Sequence, residues 1–166
     1  MEIRFTTKGK QEIVMVDNAR IAFRNFKGRG SQYNREGDRN FSLVIPSQEI
    51  ADVLTEAGLN VKIRAPREEG DSPFMHLKIK VNMDSRRPPK AYLKCDNAKP
   101  RELDADTIGI LDDIDISNVD LDFSIYEWNR PDGSGRSAYL QSIYVEQDNL
   151  DRFAARWAEE ENPEEA

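Results

Sequence analysis

The sequence predicts a mainly β domain, a closed or partly open barrel that carries two short helices and ends in a disordered acidic tail. Three observations predict it. Apolar and polar residues alternate with period two over most of the chain, two segments change to a 3.6-residue period behind helix-cap signals, and the final "EEENPEEA" has no apolar residue before Ala166. A chain of 166 residues fits one domain.

The period-two segments place strands at 12–16, 20–26, 40–45, 61–65, 74–82, 90–95, 119–128 and 137–147. The last two flank "NRPDGSGR", whose Pro-Asp-Gly is turn chemistry, so they form a long hairpin. In "SQEIADVLTEAG", Ser47 is the N-cap, Ile50, Val53, Leu54 and Ala57 form the apolar face, and Gly58 is the stop. "NLDRFAARWAEE" repeats the device, with Asn149 as cap and Leu150, Phe153, Ala154 and Trp157 on one face. "RELDADTIGILDDIDIS" fits neither period and reads as a loop with one helical turn. The expected division is one domain over 1–158 and a tail over 159–166.

Composition excludes several functions. One cysteine, Cys95, rules out an intrachain disulfide, and one histidine, His76, leaves too few soft ligands for an ordinary zinc site. No apolar run approaches the ~20 residues that span a bilayer, so a soluble, non-exported protein is expected, with no membrane partner. Neither GxxxxGK[ST] nor GxGxxG follows a strand, and no nucleophile motif surrounds His76. Asp104, Asp106, Asp112, Asp113 and Asp115 lack the spacing of a calcium loop and read as a solvated acidic loop. No catalytic residue, metal or cofactor is expected.

The net charge of -7 conceals a division: up to Arg101 there are 20 Lys and Arg against 13 Asp and Glu, a balance of +7, and from Glu102 onward 4 against 18, a balance of -14. Such asymmetry points to a nucleic-acid partner with an acidic tail as counterpart. Within the basic half, three strands present basic residues opposite an apolar face: Lys62 and Arg64 behind Val61 and Ile63, Lys78 and Lys80 behind Leu77 and Ile79, and Lys90, Tyr92 and Lys94 behind Ala91, Leu93 and Cys95. "FRNFKGRGSQYNREGDRNF" adds aromatic rings among arginines. Arg20, Arg24, Lys27, Arg29 and Arg35 are candidate phosphate contacts there, and Phe26 and Tyr33 candidate base-stacking rings, while Phe23, sharing a face with Ile21, and Phe41 are expected in the core. Tyr126, Trp128, Tyr139 and Tyr144 read as cross-strand pairs of the hairpin and Trp157 as the anchor of the last helix.

The order of "DNARIAFRNF", a polar loop, "RNFSLVIPSQEIADVLTEAG", basic strands and a Glu-rich terminus resembles phage-encoded single-stranded DNA-binding proteins with an OB fold. The resemblance implies an OB-like five-stranded barrel extended by the long hairpin, and binding of single strands without strong sequence preference in phage replication or recombination, inside the bacterial host cell. It also implies an acidic tail, here Glu159, Glu160, Glu161, Glu164 and Glu165, that contacts replication or recombination proteins and competes with DNA for the groove. Ending on Ala166 instead of an aromatic residue departs from some relatives. Two other classes weigh less: an acidic DNA-mimicking inhibitor working through "DDIDISNVDLD", and a magnesium nuclease. A homodimer is left open by the sequence.

Overall fold

The computed structural model describes residues 1–96 and 98–148. The predicted helix from Asn149 and the tail glutamates lie outside the described residues. Strands β1 (Glu2–Lys8), β2 (Gln11–Ala19), β3 (Ile21–Asn25) and β4 (Arg39–Ile45) precede helix α1 (Gln48–Glu56). After it come β5 (Lys62–Arg64), β6 (Phe74–Val81), β7 (Lys90–Lys94), β8 (Arg101–Leu103), a 3-10 turn (Ile108–Asp112), β9 (Ile116–Arg130) and β10 (Gly133–Gln147). Among the described residues, no helix is long and apolar enough to cross a membrane.

The strands form one mixed sheet in the order β1-β2-β9-β10-β6-β4-β3, with β5 paired to β6, and β7 and β8 attached through β10. Among the described residues it has ten strands where a five-stranded barrel is expected, and its path is open at β1 and β3. The reason lies in β9 and β10, each 15 residues long, which take different partners along their length. One edge of β10 is occupied by β9. The other is shared: β6 runs parallel to it at Ala138 and Tyr139, and β7 runs parallel to it from Ser142 to Glu146. A bulge between Leu140 and Ser142 separates the two stretches and reverses which face the alternate residues of β10 present.

Local signals explain the elements. Ser47 accepts a hydrogen bond from the Ile50 amide at 3.3 Å, capping the first turn of α1. Its other end is a Schellman motif: Gly58, at φ 86°, donates to Thr55 at 3.0 Å, and buried Leu59 donates to Leu54 at 3.1 Å. Ala51 and Leu54 are buried on the sheet, whereas Val53, expected on the same face, is exposed. The hairpin turns on Pro131 and Asp132, with Arg130 opposite Gly133. The ambiguous 101–117 stretch resolves into β8, the 3-10 turn and the start of β9. β1 is absent from the expected strands because its charged residues mask an alternation in which only Ile3 and Phe5 are large and apolar.

The core gathers Val14, Val16, Phe26, Phe41, Leu43, Ile79, Leu111, Phe123 and Ile143 on the inner face of the sheet. Phe26 and Phe23 exchange their expected places. Phe26, a predicted stacking ring, is 0% exposed, and its face lies on Phe41 with centroids 5.0 Å apart, so no base can reach it. Phe23, predicted as core, is 58% exposed. The cause is a bulge: between Ala22 opposite Ser42 and Asn25 opposite Asn40, β3 holds one residue more than β4. Phe23 occupies it at φ 49°. The extra residue breaks the period that begins at Ile21 and returns Phe26, not Phe23, to the interior.

Candidate nucleic-acid interface

Strand β6 builds the candidate face. Met75, Leu77, Ile79 and Val81 are buried while Lys78 and Lys80 are exposed, as a one-sided strand requires. Residues directly opposed across a ladder share a face, so the register assembles the rest. Asn40, Ser42 and Val44 of β4 lie opposite Lys80, Lys78 and His76; Tyr139 of β10 lies opposite Lys80; Lys62 and Arg64 of β5 lie opposite His76 and Phe74. One outer face thus combines four basic side chains with three rings. All of β5 is exposed, Ile63 included, because no described strand pairs beyond this three-residue strand.

Aromatic groups close both ends of the lysine row. At one end Phe23 meets Phe74 edge-on at 6.0 Å and His76 at 5.3 Å, and Phe74 lies 5.3 Å from His76. At the other, the Lys80 ammonium stands 5.6 Å over the Tyr139 ring, which Tyr126 meets edge-on at 5.9 Å. Residues 37–40 join Lys78, Lys80 and Tyr139 around a cleft of about 320 Å³, with Asp38 and Asp84 also on its wall. An adjoining cleft of about 370 Å³ shares Asn82 and Tyr139 and adds Arg87 and Tyr126.

His76 is held below the ordinary imidazole range, first by partial burial and then by the charges of Lys62 and Arg64. Its Nδ1 lies 3.2 Å from the Ser42 hydroxyl. Beside two cations its neutral form is favoured near pH 7.

The predicted arginine-rich stretch is in large part a docked segment. The Arg24 guanidinium donates to the carbonyls of Leu111 and Ile114, each at 2.7 Å. Asp112 accepts the backbone amides of Phe26 at 2.7 Å and Lys27 at 3.0 Å, and Lys27 pairs with Asp113. Arg39 donates to Phe26 and Ala105, both at 2.9 Å. Arg24 and Lys27 are therefore tethers to the 104–114 segment, and two of the aspartates read as a solvated loop, Asp112 and Asp113, anchor residues 26 and 27. Replacing Asp112 by alanine leaves two half-buried amides without their acceptor and is expected to lower stability by about 2 kcal/mol; amide exchange at Phe26 and Lys27 should accelerate.

Arg29, Tyr33 and Arg35 remain exposed beyond these tethers, Tyr33 at 89%. Arg20 lines a separate depression with Arg24, Asp115 and Asn118. Of the three basic strands, β5 and β6 come together and β7 does not. Lys90, Tyr92 and Lys94 lie opposite Ser142, Tyr144 and Glu146, beyond the Gln141 bulge, and those residues lie opposite Asp122, Asp120 and Asn118 of β9. Glu102 faces Tyr92 from β8. The β7 lysines therefore stand in an acidic setting. Among the described residues, no group of three or more His, Cys, Asp or Glu is placed to hold a metal ion.

Phe23, Phe74, His76, Arg87, Tyr126 and Tyr139 belong to the assembled face without having been singled out for it. For Phe74 and His76 a signal exists: they continue the outward row of Lys78 and Lys80 along β6. Phe23 and Arg87 have none, since a bulge and a loop position them.

No curated protein matches the chain. Among solved structures, the single-stranded DNA-binding protein from bacteriophage Enc34 aligns with a TM-score of 0.54 at 11% identity, covering 95% of this chain and 99% of that one. Its C-terminally truncated form gives 0.50 at 13%, covering 89% and 96%. Identity this low speaks for the fold alone. The family described as "Putative phage ssDNA-binding domain" matches residues 5–164. That match spans nearly the whole chain, which therefore belongs to the phage single-stranded DNA-binding family, a family of DNA-binding proteins and not of enzymes.

Proposed function

We propose that the chain binds single-stranded DNA across the outer face of β5, β6 and β10, without strong sequence preference, in phage replication or recombination inside the bacterial host. The observation that carries the reading is the interleaving on one face of Lys62, Arg64, Lys78 and Lys80 with Phe23, Phe74, His76, Tyr126 and Tyr139. Cations spaced along a sheet track phosphates, and rings accept any base because every base has a π-face. Arg29, Tyr33 and Arg35 would extend the surface at one flank; Arg24 and Lys27 would act by holding that flank in place. The sheet is read as an OB-like core extended by the β9–β10 hairpin, within one domain over 1–158. The tail from Glu159 would meet replication or recombination proteins.

Anisotropy titration of labelled oligo-dT tests the reading: tight, salt-sensitive binding that exceeds binding to duplex DNA supports it, and equal, weak binding to both refutes it.

A further inference from the structure

From the edge of the sheet that no other described strand covers we infer that the protein self-associates by antiparallel pairing of β1 with β1 of a second copy, centred on Phe5. A long exposed strand edge offers a row of unpaired amides and carbonyls, and folded proteins either protect such an edge or use it. The opposite end of the sheet is protected: β3 carries a bulge, and Arg24 and Asp112 bind its end to the 104–114 segment. β5 and β8 are three residues each. β1 has seven residues, pairs among the described residues only with β2, and contains no proline or register shift. Phe5, at its centre, is 45% exposed.

The side chains of β1 commit it to one occupant and one register. A two-fold axis through Phe5 places Glu2 opposite Lys8 twice, Arg4 opposite Thr6, Ile3 opposite Thr7, and the two Phe5 rings against each other. Opposite charges and aromatic pairs are favourable cross-strand neighbours. Centring on Arg4 sets that arginine against itself, and centring on Thr6 sets Arg4 against Lys8. Axes between residues put Phe5 opposite Arg4 or Thr6. Only the Phe5 register satisfies both the charges and the rings. Phe5 lies opposite Val14 on β2, a fully buried residue, so the ring pair would extend the apolar inner layer across the seam. The charged row would lie on the outer side, the side that carries Lys78 and Lys80.

Charge exchange tests this independently of DNA binding. The full chain, with nothing added before Met1, is examined by light-scattering chromatography at about 5 and about 100 µM, a range in which a micromolar Kd is visible. Wild type is expected to show a concentration-dependent dimer. Lys8→Glu and Glu2→Lys should each weaken it by about tenfold or more, and the double variant Glu2→Lys/Lys8→Glu should restore it. Both residues are exposed, and thermal melts verify that each variant folds. A wild type that is monomeric throughout, single variants that dimerise like wild type, or a double variant no better than the singles would overturn the inference.

Discussion

Replacing Lys78 and Lys80 together by glutamate is expected to weaken oligo-dT binding by about a hundredfold or more near 0.1 M salt, and to lower the salt slope by about 1.4. The slope follows from two lost phosphate contacts at about 0.7 each on a single strand. Both side chains stand on the exposed face of β6, so the thermal midpoint should hardly move while affinity collapses. Lys80 has a second role, since its ammonium sits over Tyr139 and keeps that ring oriented. Lys80→Arg, which preserves charge and stacking on the ring, should retain most of the affinity that Lys80→Gln loses. The same reversal at Lys90 and Lys94, which face Glu146 and the β9 acids, should change affinity far less. Equal losses from the two pairs would mean that the strand runs elsewhere.

The largest stability effect is expected at Phe26. Phe26→Ala removes a fully buried ring stacked on Phe41 and should lower unfolding free energy by about 3 to 5 kcal/mol, measured by urea denaturation. Phe23 should behave in the opposite way. Its ring is exposed and its backbone at φ 49° is strained for a bulky residue by about 1 to 2 kcal/mol. Phe23→Gly relieves that strain while adding freedom to the unfolded chain, so stability should stay within about 1 kcal/mol of wild type. Affinity for single strands should nevertheless fall by about 1 to 3 kcal/mol, the value of one stacked base. A Phe23 variant that binds normally would remove the aromatic end of the proposed path.

These two phenylalanines mark the boundary of what the residues alone convey. Local rules were enough for α1, where Ser47 and Gly58 act within one turn of the chain, for the Pro-Asp turn of the hairpin, and for β6, whose alternation is unbroken from Met75 to Val81. The basic outer face of β6 was legible for the same reason: side-chain direction in a regular strand depends only on parity. Parity fails at a bulge, and a bulge is defined by the partner strand. Phe23 and Phe26 therefore exchanged roles against β4, and Tyr139 and Tyr144 came to the same side of β10 across Gln141.

The sequence by itself determined the mainly β class, the capped helix, the hairpin and the existence of outward lysines, because each rests on interactions within a few residues. Which lysines meet, which rings join them, and that Arg24 and Lys27 bind the protein's own carbonyls and carboxylates were decided only by the tertiary structure. Those facts depend on contacts such as Arg24 to Leu111 and Lys80 to Tyr139, between residues far apart in the chain, and no local pattern encodes which distant partner a side chain will find.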